Sequence, residues 1–159
     1  MQNEWKLTFS SRLAVTPEII WIHISTMQGV NEELTPLMRM TYPSAASAAN
    51  LAEAPVGEVL FHSWLLFLGF LPIDRHHLCL SKVDAERGFI EESTSWSQAY
   101  WRHERTIEAA PGGCILTDNL TFRPRLFVLG PAIAMFVRRL FTNRHHNLKR
   151  KFGELAPVS

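Results

Sequence analysis

The sequence contains few cysteines, and their scarcity excludes two common ways of stabilising a small domain. Among 159 residues there are two, Cys79 and Cys114. They lie far apart and form neither a Cys-x-x-Cys nor a Cys/His spacing, so we expect no disulfide framework and no structural zinc. This usage fits a reducing compartment, and we predict a cytoplasmic protein that needs no metal or other cofactor.

Long apolar runs are absent as well. The two most apolar segments are WLLFLGFLPI (64–73) and LFVLGPAIAMFV (126–137), and glycine and proline interrupt both. Each is much shorter than the roughly 20 residues that span a bilayer. The first residues, MQNEWKLTFSSR, lack the charged and apolar regions of a signal peptide. We therefore predict a soluble protein without stable membrane insertion.

The sequence has no excess of positive charge that would indicate a polyanionic partner. Lysine and arginine number 16, aspartate and glutamate number 15, and the formal net charge is +1. The basic run RRLFTNRHHNLKRK (138–151) lacks the interleaved aromatic residues of a nucleic-acid groove. It is typical of a solvated helix face with cations near the negative end of the helix dipole. We expect no nucleic-acid partner.

Familiar catalytic and metal-binding signatures are missing. We find no GxSxG elbow, Walker loop, GxGxxG fingerprint or Cys/His dyad, so no catalytic residue is assigned. Histidine pairs occur at 76–77 and 145–146, but adjacent side chains point apart on a strand or a helix, and no HxH or HExxH arrangement accompanies them. No metal site is predicted.

What the sequence does contain is enough apolar material for one core. Hydrophobic residues make up 47% of the chain, and we expect a single domain over residues 1–159. Apolar and polar residues alternate in EWKLTFSSRLAV (4–15), which predicts a half-buried antiparallel strand.

Two short helices are predicted after this strand. Thr16 followed by Pro17 is a good helix opening, and the first helix should run through PEIIWIHIS (17–25). Asn31 is expected to cap a second helix over EELTPLMRMT (32–41).

The second half of the chain indicates hairpins followed by a long helix. Short runs rich in aromatic and branched residues are separated by turn sequences at 84–88 and 109–113. SWLLFLGFLPID (63–74) is apolar on all sides and fits either a buried strand or a helical insertion, while 43–55 is interpreted as a connection. A helix is predicted over roughly 128–150. Its apolar stripe recurs every three or four residues: Ile133, Phe136, Val137, Leu140, Phe141 and Leu148.

This order predicts an α+β fold in which a curved antiparallel sheet is wrapped around the C-terminal helix. It resembles the helix-grip fold of the START-like superfamily, also called the polyketide cyclase or SRPBCC superfamily. The resemblance implies an apolar cavity between sheet and helix, and an uncharacterised ligand-binding branch of a group that includes lipid carriers, hormone receptors and cyclases. It is carried by GVNEELTPLMRMTYP, LPID followed by HLCLSKVD, YWRHERTI, GGCILTDNLTF and LFTNRHHNLKRKFG.

Two predicted strands place charged groups on apolar faces. On the strand that begins at Tyr100, four residues with a period of two should face inward: Trp101, His103, Arg105 and Ile107. On the next strand, Asp118 shares a face with Leu116 and Leu120. We expect the intervening turn to set His103 roughly opposite Asp118, with Arg105 diagonal to it. Buried charges are costly unless paired, so we expect these groups to contact one another.

Three interpretations of this cluster stay open at this point. It can be the polar end of a ligand cavity that holds a carboxylate, carbonyl or hydroxyl, or a structural network that ties two strands together. Alternatively, the faces are inverted and the charges are solvated. The candidate ligand-binding residues are Trp64, Phe67, Trp96, Trp101, His103, Arg105, Asp118, Val137 and His145.

The favoured function is to carry or sense a small apolar or aromatic molecule, with lipid among the candidates. The alternative is a cyclase or dehydratase that uses His103 and Asp118 as a general base pair in the same pocket. A third class is a module whose C-terminal helix docks to a protein or membrane surface. A homodimer is left open.

Overall fold

A computed structural model describes residues 3–46 and 50–157. Seven strands and three α-helices form the described chain, and three single-turn 3-10 segments lie between them. The elements in chain order are β1 (Trp5–Leu13), α1 (Pro17–Ile24), α2 (Met27–Leu34), β2 (Met38–Met40), 3-10 segments Ser44–Ala46 and Leu51–Glu53, β3 (Val59–Phe67), β4 (Leu71–Asp84), β5 (Gly88–Ser95), β6 (Gln98–Ala110), β7 (Gly113–Pro124), 3-10 segment Phe127–Leu129 and α3 (Gly130–Phe152).

The strands form one curled antiparallel sheet in the order β1-β7-β6-β5-β4-β3-β2. Strands β3 to β7 follow each other as hairpins, because turns of two or three residues separate runs of β-forming residues. Strand β1 pairs with β7 and forms that edge of the sheet. The predicted helix-grip architecture is confirmed. Among the described residues, no helix is both long and apolar enough to cross a membrane.

Helix α3 lies against the concave face of the sheet, as predicted. Val137, Leu140, Phe141 and Leu148 of its apolar stripe are buried, and they pack on the inward side chains of β1 and β7. The helix ends at Phe152 because Gly153 adopts a positive φ of 80°, a conformation that favours glycine. Burial of this stripe holds the helix against the concave face of the sheet.

The second helix differs from its predicted position. It spans Met27–Leu34 and is capped by Thr26, whose hydroxyl accepts a hydrogen bond from the amide of Gly29 at 3.1 Å. Pro36 lacks an amide proton and stops a helix, so the segment expected to be helical becomes β2 instead. Asn31 caps nothing; its side-chain amide makes two hydrogen bonds, of 2.8 and 2.9 Å, with the backbone of Met40.

Two other segments resolve alternatives that the sequence left open. The apolar segment 63–74 contains the end of β3, a tight turn and the start of β4, so it is strand and not helix, but Leu68, Phe70 and Ile73 are exposed and the expectation of a buried strand is wrong. The connection 43–55 contains two 3-10 turns, and its residues 47–49 lie outside the described residues. Neither segment adds a helix to the fold.

Candidate functional site

A cavity of about 320 Å³ lies between α3 and the sheet. Its helix side is mostly apolar, because α3 contributes Ile133, Phe136, Val137, Leu140 and Phe141, with Arg144 as its one charged lining residue. Leu34, Met38 and Met40 extend this apolar wall, together with Leu65, Trp101 and Leu129. The cavity therefore offers an apolar surface of the kind that buries the body of a small molecule.

The opposite wall of the cavity is polar. It consists of inward side chains from the central strands β4, β5 and β6: Asp74, His76, Glu91, Ser95, Gln98 and His103. All six residues are buried. A second depression of about 230 Å³ shares Ile73, Asp74 and Ile133 with the cavity. Beside it lies an exposed run of four apolar residues, Leu126 to Leu129, and this run marks the rim of the site.

Asp118 on β7 is the centre of a buried network behind the polar wall. Its Oδ1 accepts hydrogen bonds from Nε2 of His103 at 2.6 Å and Nε of Arg105 at 2.7 Å. Its Oδ2 accepts from Nη2 of Arg105 and Nε2 of His145, both at 2.8 Å. Ser11 of β1 completes the set, with its Oγ 2.6 Å from Nδ1 of His145. One carboxylate thus joins β6, β7 and α3.

Glu33 of α2 extends this network to a second helix. Its carboxylate lies 2.8 Å from Nη1 of Arg105, and its Oε1 accepts hydrogen bonds from Nε and Nη2 of Arg144 at 3.3 and 3.2 Å. The guanidinium of Arg144 also lies over the ring of Phe141, 4.8 Å from its centroid. The network therefore contains two carboxylates and two guanidinium groups, so its charges balance.

These pairs keep both carboxylates ionised in spite of burial. Burial alone would raise the pKa of Asp118, but the charge and hydrogen bonds of Arg105 outweigh it and hold the pKa well below its ordinary value. Burial likewise opposes ionisation of Glu33, and Arg105 with Arg144 lowers its pKa overall. The network is therefore charged and internally paired at neutral pH.

His103 is neutral and held in one orientation. Burial is the main cause that lowers its pKa, and with smaller contributions from the positive charges of Arg105 and Arg144 it outweighs the charge and hydrogen bond of Asp118, which favour a second proton. Because a carboxylate only accepts hydrogen bonds, the single ring proton resides on Nε2, which donates to Asp118. The other ring nitrogen, Nδ1, carries a lone pair and lies 3.9 Å from Oε1 of Glu91.

His76 and Glu91 form a second buried pair, next to the cavity. Nε2 of His76 lies 2.5 Å from Oε2 of Glu91, and Ser93 donates to the same oxygen at 2.7 Å. Burial opposes ionisation of Glu91, but the charge and hydrogen bond of His76 lower its pKa to about 2. Burial also opposes protonation of His76, yet Glu91 and Asp74 outweigh it and raise its pKa. The pair is ionic.

The structure brings together several of the predicted site residues and corrects their register. Arg105, not His103, lies directly opposite Asp118, and His103 is the diagonal neighbour. His103, Trp101 and Val137 line the cavity. By contrast, Arg105, Asp118 and His145 are buried behind the wall and are absent from the cavity lining. The alternative of inverted, solvated faces is wrong.

The remaining aromatic candidates lie away from the cavity. Trp64 packs edge-to-face on Trp96 at 5.0 Å, beneath the guanidinium of Arg75, while Trp96 is largely exposed and lines the second depression. Phe67 contacts Phe136 of α3 at 6.0 Å without lining the cavity. Their roles as ligand contacts stay predictions that this geometry does not favour.

Several residues of the site were not predicted from the sequence. Glu33 lies on a short helix, where a glutamate normally indicates a solvated face, and Glu91 lies on a strand that is polar on both faces. Period-two alternation places Glu91 in one set with Ser93 and Ser95 and would have identified that face. Nothing local in the sequence indicates that this face is the inward one.

Metal binding finds no support in the geometry of the described part of the chain. Within it, no three histidine, cysteine, aspartate or glutamate side chains are arranged to hold an ion. His62 and His77 contact each other across β3 and β4 through their Nδ1 atoms, but no third ligand joins them.

Comparison with solved structures agrees with the helix-grip fold that the sheet, helix and cavity define. The chain belongs to the family described as domain of unknown function DUF8410, whose model matches residues 11–152. No curated protein matches its sequence.

Three solved structures illustrate the likeness. Protein CV1439 from Chromobacterium violaceum is 9% identical, with a TM-score of 0.67 over 91% of this chain and 96% of its own. Ara h 8.0201 is 11% identical, with a TM-score of 0.56 over 92% and 98%. DynU16, a protein in the dynemicin biosynthetic locus, is 8% identical, with a TM-score of 0.57 over 98% of this chain and 51% of its own. At such identities the likeness shows the fold alone.

The lowered pKa of His103 makes its contribution to stability depend on pH. The unfolded chain takes up a proton near the ordinary value of 6.5, whereas the folded chain resists it. The contribution is fully present above pH 6.5 and is lost as the pH falls from there toward the lower folded pKa. We expect the difference in unfolding free energy between wild type and His103→Gln to shrink between pH 7.5 and 5.5, by at most about 1.4 kcal/mol per pH unit.

Urea denaturation at each pH measures this difference. His146→Gln is the matched control, because it removes an exposed histidine from α3. A difference for His103→Gln that grows as the pH falls would contradict a neutral, buried His103.

Proposed function

We propose that this protein binds a small apolar or aromatic molecule in the cavity between α3 and the sheet, as a member of the START-like superfamily. The observation that carries the proposal is the cavity itself, with an apolar helix wall and a polar sheet wall. Its volume of about 320 Å³ falls in the range of small-molecule pockets, roughly 300–1,000 Å³. Trp101, His103 and Val137 are the predicted site residues that would contact the ligand.

The buried network supports this proposal by positioning one ligand contact. Arg105 and Asp118 are committed to each other and to Glu33, so they hold His103 in place and do not reach the ligand. His145 also does not reach the ligand, because its two ring nitrogens are bonded to Asp118 and Ser11. These residues are positioning residues, while the polar wall in front of them makes contact.

Filling the cavity should weaken binding without unfolding the protein. Val137 is buried and lines the cavity, so Val137→Phe would place a ring where the ligand is proposed to lie. We expect affinity for the neutral fluorescent probe N-phenyl-1-naphthylamine to fall by about tenfold or more, which is the effect of roughly 1.4 kcal/mol. Fluorescence titration of folded protein measures it.

Met135→Phe is the matched control, because Met135 lies exposed on the same helix. It should bind the probe like the wild type. If neither the wild type nor the control binds the probe, or if Val137→Phe binds it equally well, the cavity is not the ligand site.

A second candidate function is catalysis in the same cavity, of the cyclase or dehydratase type. The observation that favours it is the pairing of His103 with Asp118, which fixes the proton on Nε2 and leaves Nδ1 free to act as a general base. Native mass spectrometry of freshly purified protein separates the two functions. A retained molecule that stays unchanged on incubation supports a carrier or sensor, and one that is converted supports the enzyme.

A further inference from the structure

The polar wall of the cavity presents acceptor atoms that no protein group uses. Glu91 binds His76 and Ser93 through Oε2 only, and its Oε1 accepts no hydrogen bond within the described residues. Nδ1 of neutral His103 lies 3.9 Å from that oxygen. At this distance the two atoms do not bond to each other, and each can accept a hydrogen from a third group between them.

Gln98 supplies a third free acceptor. It is 6% exposed and lines the cavity, and its Oε1 is buried with no hydrogen-bond partner in the described part of the chain. The orientation of the amide follows from its neighbours. Ser97 donates its hydroxyl proton to Asp74 at 2.5 Å, so its oxygen can only accept, and Nε2 of Gln98 donates to it at 3.2 Å. The carbonyl oxygen of the Gln98 side chain is therefore the atom without a hydrogen-bond partner among the described residues.

The charges along this wall do not balance. Asp74 and Glu91 contribute two carboxylates, and His76 is the cation beside them. Asp74 is held by neutral donors, namely the hydroxyls of Ser95 and Ser97 and two backbone amides.

The nearby cations do not supply the missing positive charge. The guanidinium of Arg75 lies over the ring of Trp64, and Nε of Arg125 donates a hydrogen bond to the carbonyl oxygen of Ser95. Among the described residues, neither arginine forms an ion pair with Asp74. Arg144 lines the cavity, but its guanidinium donates hydrogen bonds to Glu33 and balances that carboxylate. One negative charge on the polar wall is therefore left without a protein counter-ion.

From these acceptors and this charge we infer that the cavity is selective for an apolar or aromatic amine, whose protonated nitrogen binds at the polar wall between Glu91 and His103. An ammonium group donates up to three hydrogen bonds and carries the positive charge that the wall lacks. A carboxylate in the same place would face acceptors and a like charge. The inference rests on the proposed function and specifies its ligand class.

Three probes with the same ring test this selectivity. They are 2-(1-naphthyl)ethylamine, 2-(1-naphthyl)ethanol and 1-naphthylacetate, titrated at pH 7 by calorimetry. We expect the amine to bind about tenfold or more tightly than the alcohol, and the acid to bind most weakly. Equal affinities, or preference for the alcohol or the acid, would overturn the amine inference and leave the proposed function standing. Failure of all three probes to bind the folded protein would overturn both.

Two variants assign the selectivity to the polar wall. Glu91→Gln removes the charge, and we expect it to reduce the preference for amine over alcohol by about tenfold. Gln98→Met tests the position of the amine, because Gln98 pairs with Pro124 and His103 with Leu120, four residues apart on β7; it should leave the preference unchanged. If Glu91→Gln fails to fold, the three probes on the wild type still decide the selectivity. Glu92→Gln is the matched control on the outer face of β5, where the side chain is 43% exposed. A preference that survives Glu91→Gln, or that falls equally in Gln98→Met or Glu92→Gln, would overturn the assignment.

Discussion

Replacing Asp118 with asparagine should lower the free energy of unfolding by about 3–5 kcal/mol, the usual cost of breaking a buried ion pair by removing one partner. The carboxylate of Asp118 is fully buried and accepts hydrogen bonds from His103, Arg105 and His145. Asparagine retains one acceptor oxygen and introduces donors that face other donors. The guanidinium of Arg105 would keep its charge in the interior and lose its bidentate partner.

Urea denaturation of the wild type and Asp118→Asn measures the loss. Glu104→Gln is the matched control, because Glu104 lies on the outer face of β6 and pairs with Arg102 at 2.8 Å while about a third exposed. Exposed ion pairs contribute about 0–1 kcal/mol, so the control should change stability little. Equal stabilities for the two variants would contradict a buried and fully paired Asp118.

The network around Asp118 has a consequence for the cavity as well as for stability. It ties β7 to β6 through Arg105, to α3 through His145 and, by way of Glu33, to α2. The same network therefore fixes His103 at the polar wall of the cavity. This supports the structural interpretation of the cluster for Arg105 and Asp118, which do not line the cavity.

The faces of β6 and β7 could be predicted from the sequence, but their register could not be set by alternation alone. Alternation is unchanged when one strand slides by two residues, so it leaves Arg105 or His103 as the partner of Asp118. The turn decides between them. Ala110 pairs with Gly113, which leaves a two-residue turn in which Gly112 has a positive φ of 83°. Proline followed by glycine is typical of a type II turn, and a turn confined to these two residues sets Arg105 opposite Asp118.

The part of the site that was not predicted comes from elements whose mutual position no local pattern determines. Glu33 becomes a buried anchor only because α2 packs beside α3, where Arg105 and Arg144 converge on it. Likewise, Glu91 and His76 meet because β4 and β5 curl under α3 with these side chains inward. Sequence periodicity gives the face of an element, whereas burial of a polar face depends on which other element covers it.

The second large effect is expected at the contact between α3 and the sheet, where Phe141 is 1% exposed. Its ring lies 5.7 Å from that of Phe9 on β1, 5.2 Å from His103 and 6.3 Å from Trp101 on β6. Phe141→Ala would remove all three ring contacts and the surface under Arg144. We expect the free energy of unfolding to fall by about 3–5 kcal/mol, as for other buried phenylalanines, because the cavity left behind cannot collapse fully.

Phe127→Ala is the matched control, because Phe127 is 69% exposed in the 3-10 segment before α3 and undergoes the same truncation. Its stability should stay within about 0.5 kcal/mol of the wild type, as is usual for surface positions. Chemical denaturation of both variants gives the comparison, and a similar, small change for Phe141→Ala would contradict the packing of α3 in the sheet. Because Phe141 also lines the cavity, we expect the folded fraction of Phe141→Ala to bind the apolar probe still, in an enlarged site, which distinguishes a loss of packing from a loss of the pocket.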